Sequence, residues 1–251
     1  MNAFEKFGIK HLSPSSLNMY AANPSLWVGR YLLKWEDSMG PAGHRGTAVE
    51  AGLDLWIYQR DVECAIQAAY QKFAQLTDGQ ADDDHESERD NLEPMVKHAI
   101  AAMKDAPTPN ARQMAVEHWV DGVEVPIIGY VDYLFDDFGV DLKTTKACPS
   151  SIRSDHARQV ALYAKAKGKP FKILYVTAKR SSMLPLSDED AALHLRDLER
   201  QARAVRHLLR KSDTPQDAAR FFAPERSDFR WSEKTLELCL KGDSDVQSSA
   251  A

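Results

Sequence analysis

Apolar positions recur every three to four residues through the first hundred residues, then every second residue, and this change of period divides the chain. Ser13-Pro14 pairs an N-cap residue with a proline at the first helical position; the helix it opens runs through Leu17 and Tyr20 to Asn23-Pro24. Pro24 opens a second helix carrying Trp27, Tyr31 and Leu32. After a loop, SMGPAGHRG, the segment TAVEAGLDLWIYQ puts Val49, Leu53, Trp56 and Ile57 on one helical face. DVECAIQAAYQKFAQL repeats the pattern with Val62, Ile66, Ala69, Tyr70 and Phe73 inward, and Asn91 to Lys104 returns to it. Between them acids crowd from Asp78 to Glu93, a charge run that predicts a mobile loop.

After PTPN the alternation is that of strands. MAVEHWV and VEVPIIGYVDYLF flank Asp121-Gly122, a hairpin signal. Asp136-Asp137-Phe138-Gly139 supplies a second turn before the strand GVDLKT. Asp155 to Lys167 reads as a helix and FKILYVTA as a buried strand. Ser187 caps a long helix to about Leu209, with Asp188 and Glu189 near its positive end. Thr214-Pro215 and Ser232 open two short helices, and the polar tail predicts disorder over 242–251. Helices, three antiparallel strands, helix, strand, helices: this order predicts an α/β fold with a mixed central sheet flanked by helices and a helical N-terminal part.

Composition narrows the setting. With 43% hydrophobic residues the chain can bury a substantial core. No segment is long and apolar enough to span a bilayer, and the N-terminus lacks the apolar run of a signal peptide. Three scattered cysteines, Cys64, Cys148 and Cys239, argue against a disulfide framework. Together these predict a cytoplasmic protein without a membrane partner. A net charge of −5 does not advertise nucleic-acid binding, yet basic residues crowd Lys143 to Lys211, and a local basic surface can hold phosphates on an acidic chain.

The chemistry concentrates in GYVDYLFDDFGVDLKTTKA. Strand side chains alternate faces, so Asp141 and Lys143 point one way and Leu142 the other, while Asp132 lies on the preceding strand across the turn. Two carboxylates and an ammonium can thus converge on one patch. Facing carboxylates repel unless a cation sits between them, and oxygen ligands suit Mg²⁺ or Mn²⁺. Such a patch fits phosphodiester hydrolysis, with the lysine orienting water or stabilising charge on a phosphate. Any one of these residues alone carries little weight. Glu50 borders the apolar face of its helix and is either a further ligand or a solvated charge. Gln159 and Tyr163, four apart, share a helix face for positioning or for packing.

Taken in order, LSPSSLNMY, RGTAVE, GYVD, DLKTTK and QVALY resemble the PD-(D/E)XK nucleases of the RecB type, which include phage exonucleases and CRISPR adaptation nucleases. The resemblance covers about Leu12 to Ala166 and implies a restriction-endonuclease-like core. It implies one nuclease domain over 1–241: a helical part at 12–105, a catalytic core at 112–180 and C-terminal helices at 187–241. It makes Asp132, Asp141 and the Leu142 carbonyl metal ligands, Lys143 the catalytic lysine, and Gln159 and Tyr163 its positioning pair. Glu50 falls where many RecB-type enzymes carry a metal-binding histidine, and phage lambda-type exonucleases a glutamate. Val131 stands in place of the motif's proline. Three cysteines cannot assemble the four-thiolate iron–sulfur site of some relatives, so no cluster is expected.

Arg45, Lys146, Arg153 and Arg158 are the candidate DNA-phosphate contacts. Arg196, Arg200, Arg203 and Arg210 form a stripe that either tracks a DNA backbone or is a solvated face. The resemblance implies a Mg²⁺- or Mn²⁺-dependent DNA exonuclease of recombination, repair or phage DNA metabolism, with DNA and a recombination or single-strand-annealing protein as partners. The alternatives are a structure-specific or adaptation-type endonuclease and a DNA-binding module without catalysis.

Overall fold

The computed structural model describes residues 2–36, 39–78, 82–228 and 230–239; the tail at 242–251, expected to be disordered, lies outside them. The chain divides into two compact units. One gathers the segment before Met39, Val116–Gly129 and the chain after Ala191; the other gathers Met39–Ala115 and Tyr130–Ala191.

In the first unit, α1 (Ala3–Lys6) precedes α2 (Pro14–Ala22) and α3 (Pro24–Tyr31). Ser13 and Asn23 cap the latter two and a proline begins each, as the sequence signals require. Leu17, Leu26 and Trp27 are fully buried. Trp27 stacks on Tyr31 and meets Tyr20 edge to face. The last helices are α9 (Asp188–Lys211), which starts in the second unit, α10 (Pro215–Ala219) and a short helix over 233–239. In α9, Leu198, Ala202, Val205 and Leu209 are fully buried, as their spacing predicts. His118 pairs with Glu199, a structural contact.

The second unit holds the chemistry. Its helices are α4 (Pro41–Gln59), α5 (Val62–Leu76), α6 (Asp83–Asp90), α7 (Leu92–Met103) and α8 (Ser154–Lys167). Pro41 opens α4, so the glycine-rich stretch expected to be a loop is largely helix; the proline at N1 outweighs the two glycines that follow. The acidic run expected to be mobile contains α6. Asp82 caps it through the His85 N–H, three acids sit in its first turn beside the positive helix end, and Arg89 lies in its last. The charges that suggested a solvated loop are placed where a helix favours them. Val62, expected inward, is exposed in the first turn of α5, whereas Ile66, Ala69 and Phe73 are buried.

Five strands form one sheet in the order β1-β2-β3-β4-β5. They are β1 (Ala111–His118), β2 (Ile127–Leu134), β3 (Gly139–Thr144), β4 (Phe171–Val176) and β5 (Ser181–Pro185). β2 and β3 are antiparallel, β3 and β4 parallel, β4 and β5 antiparallel, so the mixed sheet is as expected. β5 was not anticipated: its short SSMLP run lacks alternating burial. A parallel pair needs a crossover, and α8 supplies it between β3 and β4. On one sheet face Val140, Leu142, Leu174 and Val176 pack with Val49, Leu53 and Trp56 of α4 and Met95, Val96 and Ile100 of α7. A Cβ at Gly52 would lie 2.7 Å from the Ala65 carbonyl oxygen, so glycine there permits the close approach of α4 and α5.

Candidate active site

The apolar face of β3 fixes where its polar residues go. Leu142 joins the core, and the alternation turns Asp141 and Lys143 to the opposite face. The Lys143 ammonium lies 2.8 Å from Asp141 Oδ2. Asp141 is wholly buried; the ammonium accompanies Oδ2, and Oδ1 has no hydrogen-bond donor. Such an anion is costly unless a cation accompanies it.

Asp132, on β2, accepts a 2.8 Å hydrogen bond at Oδ2 from the Leu142 N–H. Its other oxygen accepts one from the Gln113 amide at 3.2 Å, and the same amide nitrogen donates to Glu50 on α4. Burial pushes the Asp132 carboxyl well above its usual range, and the charges of Asp141 and Glu50 push further against the pull of Lys143. Burial likewise raises Glu50; the Gln113 hydrogen bond, Arg112 and Lys143 oppose the rise. Burial alone would lower the Lys143 ammonium, but Asp141 and Asp132 outweigh it and hold the group above its usual value. These effects place Glu50, Asp132, Asp141 and Lys143 in one electrostatic field.

α8 borders the same field. Gln159 Nε2 donates to the Tyr163 hydroxyl at 2.6 Å. Burial raises the buried Tyr163 phenol, and the charge of Asp141 adds to that. One turn earlier, His156 shares its face, with Nδ1 2.9 Å from the Tyr175 hydroxyl. The ring is held down at about 4, first by burial and also by Lys143, while Asp155 and Asp141 pull the other way. One turn along α4 from Glu50, Asp54 pairs with Arg112 and accepts a 2.9 Å hydrogen bond from the buried Tyr133 hydroxyl.

All six residues expected to act in catalysis therefore share one region. The sequence reading missed Asp54, Arg112, Gln113 and His156. Asp54 could have been found from its four-residue spacing from Glu50 on one helix face. Nothing in the pattern marks Gln113.

A model of the PD-(D/E)XK nuclease superfamily matches residues 11–239. The chain belongs to the PD-(D/E)XK nuclease superfamily. Among solved structures, a crystal structure of a protein named "Putative exonuclease" from Eubacterium rectale is 12% identical, with 82% of this chain and 83% of that chain covered and a TM-score of 0.57. It shows that the fold is shared. The crystal structure of SSO0001, at 11% identity, 73% and 81% coverage and a TM-score of 0.32, is too distant to add to that. No curated protein matches the nuclease.

Nucleases of this superfamily use divalent metal ions. Among the described residues no three Asp, Glu, His or Cys side chains stand close enough to form a finished metal cage. The donor chemistry nonetheless fits a hard cation. Among the described residues, Glu50, Asp54, Asp132 and Asp141 share two permanent cations, Lys143 and Arg112, a deficit of two charges when all four acids ionise. Asp141 adds a buried Oδ1 that no donor satisfies, and carboxylate oxygens are the ligands Mg²⁺ and Mn²⁺ take.

The expected phosphate contacts of the nuclease are spread differently. Arg45 is buried on α4, where its guanidinium pairs with Glu88 and reaches the Thr144 carbonyl at 3.3 Å. The sequence made it a candidate phosphate contact; the structure gives it a partner inside the unit. Arg153 is exposed and pairs with Asp155 at 3.0 Å. Lys146 is exposed two residues beyond β3, and Arg158 is half-buried on α8 beside Gln159.

Proposed function

We propose that this nuclease is a Mg²⁺-dependent deoxyribonuclease that degrades DNA from its ends, by hydrolysing phosphodiester bonds at the site around Asp141. The observation that carries the reading is Asp141: a wholly buried carboxylate with an ammonium against Oδ2, no donor at Oδ1, and Asp132 and Glu50 in the same field. Such a constellation is unfavourable for folding and favourable for holding a cation against a phosphate.

Glu50, Asp132, Asp141 and the Leu142 carbonyl would hold the ion. Bound there, it would supply Lewis-acid stabilisation of the charge that grows on the phosphate. Lys143, kept cationic by Asp141 and Asp132, offers its ammonium to the same phosphate oxygens. The Leu142 N–H fixes the Asp132 carboxylate, and Gln159 orients the Tyr163 hydroxyl. Lys146, Arg153 and Arg158, near the end of β3 and the start of α8, would position the DNA backbone. The family match spans both compact units, which supports treating 11–239 as one nuclease domain. Action from DNA ends is supported by the name of the Eubacterium rectale neighbour and by a glutamate at position 50. A cytoplasmic role in recombination, repair or phage DNA metabolism is the setting the family resemblance favours.

The test is cleavage of linear and closed circular DNA with Mg²⁺, with chelator, and by Lys143→Ala. The expected result is digestion of linear DNA alone, abolished by chelator and reduced by about a hundredfold or more in the variant. Nicking of closed circles would replace the exonuclease reading with an endonuclease one. Cleavage indifferent to chelator and substitution would overturn the mechanism.

A further inference from the structure

Arg112 and Gln113 are consecutive residues of β1, and in a regular strand their side chains would leave from opposite faces. Here both reach α4. Arg112 pairs with Asp54 and Gln113 donates to Glu50, and those two acids stand one turn apart on the same helix face. The backbone at Gln113 allows it: φ is 45°, in the left-handed region that residues other than glycine seldom adopt. Strain of that kind persists where the surroundings over-determine it, and it collects at functional sites. Its effect here is specific. It swings the Gln113 amide onto Glu50 and, at 3.2 Å, onto Asp132 Oδ1, tying together two carboxylates that would otherwise repel. The amide is neutral, so it holds the acids without cancelling the charge deficit that a divalent cation needs. A lysine or arginine in its place would cancel half of it. Gln113 is also exposed, so its side chain has solvent to withdraw into.

We propose that the Gln113 amide is a removable brace that competes with the divalent cation for the oxygens of Glu50 and Asp132, and thereby sets the cation affinity of the site. This rests on the metal-dependent reading above. The amide protons occupy one lone pair on Glu50 and one on Asp132 Oδ1 and draw on their negative charge, so the brace and a cation compete for those oxygens.

The experiment is Mn²⁺ binding, followed by the electron paramagnetic resonance signal of the free ion, for the full wild-type chain, Gln113→Ala and Gln113→Gly. The glycine variant guards against a folding defect, because a φ of 45° suits glycine better than any other residue. Both variants are expected to bind Mn²⁺ more tightly than wild type by about tenfold or more, the low end for losing even one of the two hydrogen bonds to charged groups. Unchanged affinity in both would overturn the proposal and leave Gln113 a purely structural residue. Weaker affinity would overturn it too, by making the amide carbonyl a ligand. Absence of Mn²⁺ binding by wild type and variants alike would remove the metal-dependent reading itself and the brace with it.

Discussion

His156 gives the site a measurable sensitivity to acid. Its Nδ1 lies 2.9 Å from the Tyr175 hydroxyl, which already accepts the Arg153 N–H at 3.2 Å. Burial, with Lys143 adding, holds the imidazole at about 4 against its ordinary 6.5, while Asp155 and Asp141 only partly offset this. Between those values the unfolded chain binds the proton and the folded protein does not. Stability is therefore full above about pH 6.5 and is lost as pH falls toward the folded value. The whole gap is worth roughly 3 kcal/mol, of which about 2 kcal/mol is lost between about pH 7.5 and 5. Glu50 and Asp132 act in the opposite direction. Their raised values make the folded state bind protons more tightly, so their contribution falls as pH rises through those values. The pH slope of the wild type alone therefore mixes the two. Urea unfolding of wild type and His156→Gln at both pH values separates them, because the double difference retains only the histidine. The variant should lose about 2 kcal/mol less than wild type on acidification. Equal losses within about 0.5 kcal/mol, close to the error of such extrapolations, would refute the buried, neutral imidazole.

Two further outcomes follow from buried charge. Lys143→Met removes the cation beside Asp141 and should destabilise the protein by about 3 kcal/mol, the low end for a broken buried pair because the lysine side chain keeps 22% of its surface exposed. Asp141→Asn relieves the repulsion among the acids and should unfold no earlier than wild type while losing cleavage; calorimetry showing both variants equally destabilised would contradict the charge deficit. Arg45→Met strands Glu88 inside the second unit at a cost of about 3 kcal/mol, and adding Glu88→Leu should recover most of it. Failure of the double variant to recover would mean that the Thr144 contacts of Arg45 matter more than its ion pair.

The sequence carried the fold where one signal dominated. Pro14 and Pro24 at helix starts, the apolar face of α4 and the alternation of GVDLKT all describe local geometry, and each appears as expected. The failures came where two signals competed. Around Asp82 a density of acids looked like solvated chain, yet acids in a first turn complement the helix dipole, and which reading wins depends on whether the turn has something to pack against. His85 and Glu88, buried on α6, show that it does. β5 escaped notice for the converse reason: an edge strand of four half-exposed residues and an exposed Pro185 has no burial pattern to announce it, and only its pairing with β4 defines it.

The site divides along the same line. Asp132, Asp141 and Lys143 were legible because a strand period of two and a short turn fix which side chains can meet. Glu50 was legible as a border residue of an amphipathic face, although nothing local set its distance from the sheet. Gln113 and Arg112 were not, since the period that exposed the other three argues against them: neighbours in a strand point apart, and here they converge because one φ is positive. Glutamine carries no mark of that conformation, as glycine or asparagine would. The conformation is imposed by Glu50, Asp54 and Asp132, residues that lie 63, 59 and 19 positions from Gln113. The rule that locates the acids thus hides the group that holds them. A reader of strands should therefore look for an acid pair one helical turn apart, as Glu50 and Asp54 are, and then ask which two strand residues could break alternation to reach both.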